Sequence, residues 1–125
     1  MVKAPLVTPD ATFGEEVLRA LDKAGFQTNV ALWLKEGDIW TLLLSAPAYE
    51  KLGPTAAYRR LIEALSAEGP APMSDFPIRL EGNRYPLIKG LRKTFGKTSS
   101  VEGMRLGKHA IGGVWIDDAY VYRIK

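Results

Sequence analysis

The chain has 125 residues, 46% of them apolar and 25% charged. That balance excludes an intrinsically disordered segment and supplies enough apolar surface for one self-supporting core across residues 1–125. The absence of cysteine rules out disulfides, thiolate metal sites and a cysteine nucleophile, and the net charge of +3 is too small to mark the whole chain as a polyanion binder.

In chain order, Thr12 followed by Glu15 has the spacing of a capping box and predicts a helix from Phe13 to Ala24. Phe13, Val17, Leu18, Leu21 and Ala24 form its apolar stripe, and Gly25 supplies a left-handed stop. Two β-rich runs follow, Phe26 to Leu34 and Ile39 to Ala46, joined by the polar turn Lys35-Glu36-Gly37-Asp38. Both faces of Ala31-Leu32-Trp33-Leu34 and Leu42-Leu43-Leu44 are apolar, so this hairpin is expected either to lie centrally with cover on both sides or to meet a partner.

Pro47 to Leu52 reads as a loop. Gly53-Pro54 opens a second helix, with Tyr58, Leu61, Ile62 and Leu65 at helical spacing, ending near Glu68. Phe76, Ile78 and Leu80 alternate with polar residues as a short strand, and Pro77 favours a sheet edge. A third helix runs from Pro86 to Phe95, closed by Gly96, with Leu87, Ile88, Leu91 and Phe95 opposite Lys89, Arg92 and Lys93. Val101 to Leu106 has strand character, Gly107 to Gly113 reads as a loop, and Val114 to Ile124 as one strand with an irregularity near Asp117-Asp118. The expected fold is therefore α+β, in the order α-β-β-α-β-α-β-β, with a mostly antiparallel sheet packed by helices.

Charge supplies the strongest functional signal. Residues 84–108 hold seven basic side chains against the single acid Glu102, a local charge of +6, while the rest of the chain carries ten basic and thirteen acidic residues, or −3. Lys89, Arg92, Lys93, Lys97, Arg105, Lys108 and His109 are the candidate ligand-binding residues of a non-enzymatic module for nucleic acid or another anionic partner. The same cations also suit an ordinary solvated helix face. Tyr85, Tyr120 and Tyr122 are the nearest aromatics; Tyr120 and Tyr122 are expected to share one sheet face with Ile124 as half-buried residues rather than to stack bases.

Other chemistries have weaker support. His109, between Lys108 and a glycine-rich stretch, has the residue type of an acid-base group in a small hydrolase or nuclease, with Glu102, Arg105 or Lys108 as its only candidate helpers. Asp117 and Asp118 are adjacent and point to opposite sides of a regular strand, so no metal site is expected. Gly103-x-x-x-Gly107-Lys108 is one residue short of a phosphate loop and lacks the following Ser or Thr, and no cofactor is expected. Trp33, Trp40 and Trp115 suit core or cross-strand packing; a homo-oligomer or protein-interaction component using the apolar hairpin is the alternative reading. No stretch reaches the length of a membrane span and no signal-like apolar run is present, so the expected address is cytoplasmic, without membrane contact.

Ala31-Leu32-Trp33-Leu34, Ser45-Ala46-Pro47, Gly53-Pro54 with Tyr58-Arg59, and Asp117-Asp118-Ala119-Tyr120-Val121-Tyr122 together resemble small bacterial single-domain proteins with no assigned activity. The resemblance implies a bacterial single-domain protein and transfers no functional residues.

Overall fold

The computed structural model describes residues 11–68, 78–97 and 101–125. The elements follow in the order α1 (Ala11–Lys23), β1 (Val30–Glu36), β2 (Ile39–Ser45), α2 (Pro47–Leu52), α3 (Pro54–Glu68), β3 (Ile78–Glu81), α4 (Pro86–Phe95), β4 (Arg105–Ile111) and β5 (Val114–Ile124). The strands form one sheet in the order β3-β2-β1-β5-β4. Every pairing is antiparallel except β2 with β3. The α+β class and the mostly antiparallel sheet agree with the sequence reading.

Helix α1 ends as its sequence predicts. Gly25 has φ +80°; the Gly25 N–H donates to the Asp22 carbonyl at 3.1 Å and the Phe26 N–H to the Leu21 carbonyl at 2.8 Å. These two bonds satisfy carbonyls that a helix end otherwise leaves open, and Phe26 folds back into the same core cluster as Leu21. The helix already includes Ala11, so Thr12 lies within the first turn and not at the cap position. Gly14, on the buried side, is required by packing: a Cβ there would overlap the Tyr122 ring.

The β1–β2 hairpin is central, as its two apolar faces demand. Lys35 and Glu36 extend β1 through pairs with Trp40 and Ile39, which shortens the turn to Gly37-Asp38, with Gly37 at φ +63°. One face of the sheet carries Trp33, Trp40, Leu42, Leu44 and Leu80 against Val17, Leu18 and Leu21 of α1 and Ala57, Leu61 and Ala64 of α3. The other carries Leu32, Leu34, Leu43, Ile116, Ala119 and Val121 against Leu87, Ile88 and Leu91 of α4. The sheet is thus the middle of three layers. Leu32, Leu42, Leu43, Leu44 and Trp33 are completely buried within the chain, while Ile39, beside the turn, is 58% exposed.

Several expectations need correction. Pro47–Leu52 is the helix α2, with Pro47 at its start, where a missing N–H costs nothing. In α3, Ile62 is 59% exposed, outside the stripe formed by Tyr58, Leu61 and Leu65. Strand β3 is at the sheet edge, and the amide of its Leu80 donates to the Tyr58 hydroxyl of α3 at 2.7 Å; Phe76 and Pro77 lie outside the described residues. Val101 to Met104 forms a turn, and the strand β4 occupies Arg105–Ile111, most of the stretch read as a loop. Its partner β5 is joined to it through Gly112 at φ +63° and Gly113 at φ +79°, the pair of left-handed residues that a two-residue hairpin uses.

Strand β5 is continuous, with an irregularity near Asp117-Asp118. Ile116 and Ala119, three residues apart, face the same cluster, so the two-residue alternation is broken between them. On β4 the break falls at Lys108, whose φ of +53° is the one positive value at a non-glycine among the described residues. The β4–β5 register is the same on both sides of this break, whereas the β1–β5 pairing does shift register, opposite Ala31/Leu32. It leaves Tyr120 and Tyr122 on the α1 side and sends Ile124 to the α4 side, so the three do not share a face.

Candidate anion-binding surface

Helix α4 is fixed from its apolar side. Leu87, Ile88 and Leu91 are fully buried, each contributing roughly 1.5–3 kcal/mol of burial. The opposite side presents Lys89 and Lys93, with Lys97 just past the helix end, all exposed. Among the described residues, none of these three lysines pairs with a carboxylate. Arg92 differs: its Nε–H donates to the backbone carbonyl of Lys125 at 2.7 Å, which ties the helix to the end of β5.

A glycine contact seats α4 against the second hairpin. A Cβ at Gly90 would lie 2.7 Å from the Cα of Gly112 and 2.7 Å from its amide nitrogen, and a Cβ at Gly112 would overlap the Pro86 carbonyl. Backbone therefore rests on backbone. Lys89 flanks Gly90 in sequence, and Lys93 follows it by three residues, nearly one turn. Along β4, His109 and Lys108 lie about 10 and 13 Å from Gly112 at strand spacing. Both are exposed, and β4 has a neighbour on one side only. The contact thus brings the exposed lysines of α4 to the hairpin that carries Lys108 and His109.

Arg105 belongs elsewhere. Its guanidinium grips Asp118 through Nε at 3.0 Å and Nη2 at 2.7 Å and lies 5.9 Å from the centroid of the Trp40 ring. Trp40 packs with α1 and α3, so the sheet separates Arg105 from α4. The hydrogen bond from Asp118 and its charge hold the Arg105 pKa above its ordinary value against the opposing effect of burial. Of the seven candidate residues, Lys89, Lys93, Lys97, Lys108 and His109 are exposed with no carboxylate partner among the described residues, while Arg105, also exposed, is paired with Asp118 and Arg92 is bonded to the Lys125 carbonyl.

Of the candidate helpers of His109, Lys108 is its neighbour in β4, whereas the other two are engaged elsewhere. Arg105 is held by Asp118, and Glu102 lines a groove with Asp22, Tyr122 and Arg123 on the α1 side. Asp117 accepts from the Trp115 indole N–H at 2.9 Å. Among the described residues no group of three or more His, Asp or Glu side chains is placed to hold a metal ion. No helix among them is long and apolar enough to cross a membrane.

Two features escape the sequence reading. The three tryptophans part company: Trp33 and Trp40 are buried, whereas Trp115 is 61% exposed. Arg79, unremarkable in the sequence, is the centre of a polar network. It donates through Nη1 to both Glu36 oxygens at 3.0 and 3.1 Å and through Nη2 to the Tyr85 hydroxyl at 2.9 Å, and approaches Glu81 at 3.3 Å. Burial works to lower its pKa, but the bonds and charges of Glu36 and its neighbours raise it overall. The alternation of Ile78-Arg79-Leu80-Glu81 places Arg79 opposite the apolar side of β3, yet its partner Glu36 is 43 residues away.

No family model matches the chain, and neither a curated protein nor a solved structure matches it. What the fold and the surface define is a three-layer α+β protein with a cationic helix seated beside an edge hairpin.

Proposed function

We propose that the protein is a non-enzymatic binding module for nucleic acid, engaging the phosphate backbone through Lys89, Lys93, Lys97, Lys108 and His109. The observation that carries this reading is the Gly90–Gly112 contact, which joins the exposed lysines of α4 to the edge hairpin while a buried apolar side holds the helix rigid. Unneutralised cations on a fixed scaffold release condensed counterions when they meet phosphates. Two of the groups that could assist His109 in acid-base chemistry are engaged elsewhere, Arg105 with Asp118 and Glu102 in the groove beside Arg123, which favours binding over cleavage.

Fluorescence anisotropy with a labelled 20-base-pair duplex tests the proposal. With about four phosphates neutralised, affinity is expected to fall roughly a hundredfold between 50 and 200 mM salt. The Lys89/Lys93/Lys97→Ala protein is expected to bind at least tenfold more weakly with unchanged circular dichroism. Arg105→Ala, already committed to Asp118, is expected to leave the salt slope intact. Equal binding by the triple variant and the parent, or no binding at 50 mM salt, would remove the proposal.

A further inference from the structure

A second site of positive character lies away from α4, where the C-terminal end of α1 meets α2 and α3. The cleft there encloses about 260 Å³. Lys51 of α2 and Arg60 of α3 both line it, together with Phe26, Gln27, Ala48 and Leu52, and its lining includes no acidic residue. Among the described residues neither cation forms an ion pair. The cleft is therefore cationic on one side, and its apolar side combines Phe26, which is anchored in the core, with Leu52, which is 44% exposed.

The end of α1 would ordinarily add negative potential here through its open carbonyls. In this chain the carbonyls of Ala20, Leu21 and Asp22 accept from Ala24, Phe26 and Gly25, so the last turn is capped. A groove of similar size, about 250 Å³, lies along α1, but its cations Arg19 and Arg123 are outnumbered by Glu15, Asp22 and Glu102, and Arg123 is paired with Asp22. Unbalanced charge distinguishes the first cleft.

We propose that this cleft binds a small amphipathic carboxylate. The guanidinium of Arg60 offers a fork matched to a carboxylate, Lys51 adds a second charge, and Phe26 and Leu52 receive the apolar part. A cleft of about 260 Å³, just under the range of about 300–1,000 Å³ common for small-molecule sites, suits a short alkyl or single-ring acid. This site is separate from the nucleic-acid surface and does not depend on it.

Isothermal titration of the full chain with sodium octanoate, below its micellar concentration and at low salt, is the test. Octanoate is expected to bind, 1-octanol at least tenfold more weakly, and inorganic phosphate without detectable heat. Lys51→Gln with Arg60→Gln is expected to weaken octanoate at least tenfold at an unchanged melting temperature. Amide NMR shifts on titration are expected to centre on Gln27, Ala48 and Leu52, which locates the site even if the double variant folds poorly. Absence of octanoate binding at millimolar concentration, equal binding of octanoate and octanol, or shifts centred elsewhere would overturn the proposal.

Discussion

The indole N–H of Trp33 donates to the hydroxyl of Tyr122 at 3.0 Å, although the two residues stand 89 positions apart. The same hydroxyl donates onward to the Ala11 carbonyl at 2.7 Å. One buried oxygen thereby links the central strand, β5 and the start of α1, inside the cluster that α1 and α3 cover.

Tyr122→Phe should remove both bonds while keeping the ring against Gly14. A polar group whose partner is deleted inside a core costs about 1–3 kcal/mol. Urea denaturation is expected to show that loss with an unchanged m-value, and a change under 0.5 kcal/mol would show that the relay does not stabilise the fold.

Gly90→Ala sets two effects against each other. Alanine favours an exposed helix interior by about 1 kcal/mol over glycine. The added Cβ, however, meets the backbone of Gly112 at 2.7 Å, and backbone on both sides cannot swing away as a side chain can. Overpacking of this kind costs about 1–3 kcal/mol, so net destabilisation is expected in thermal unfolding. A more stable Gly90→Ala protein would mean that α4 is not seated by this contact.

Lys108 holds φ +53° within a strand. A left-handed conformation costs an L-residue roughly 1–2 kcal/mol, and glycine relieves that at an entropic cost of about 0.5–1 kcal/mol. Lys108→Gly is therefore expected to raise stability by about 0.5–1 kcal/mol while weakening oligonucleotide binding. Opposite signs for stability and binding, measured on the same protein, separate its backbone role from its charge.

Arg123 clasps Asp22 at 2.8 and 3.0 Å and donates to Thr28 at 2.7 Å, joining β5 to the end of α1. The hydrogen bond from Arg123, with its charge, holds the Asp22 carboxyl below its usual value of 3.8 despite partial burial. A depressed folded-state pKa means that the unfolded chain binds more protons, so the stabilisation is present above about pH 4 and is lost as pH falls through the folded value. Asp22 is 48% exposed, which screens the pair to at most about 1 kcal/mol. Asp22→Asn is expected to lower the melting temperature at pH 7 and to match the parent at the acid end of a pH series.

Legibility in the sequence followed the strength of local signals. α4 was readable to the residue because Pro86 marks a start where no N–H is needed and the apolar stripe has helical spacing. The β1–β2 hairpin was readable as central from its doubly apolar strands. β4 was not, because an edge strand with most of its side chains in water has no apolar alternation, although Gly112-Gly113 carried the turn that announces it. α2 was hidden by its brevity: in six residues, none of them buried, no stripe can show. The cationic site was legible as a charge count and illegible as a surface, since Arg92 and Arg105 look identical to Lys89 and Lys93 until their partners are known.

By itself, then, the sequence determined α1, α3 and α4, the central hairpin, the α+β class and the concentration of positive charge, because each depends on residues close together along the chain. Tertiary structure alone decided which cations stay open to solvent, which tryptophan is exposed, and that Lys51 and Arg60 share a cleft. Those outcomes depend on contacts between distant segments, the Gly90–Gly112 approach and the Arg105–Asp118 pair among them, and pairing across a sheet leaves no periodic trace in the order of residues.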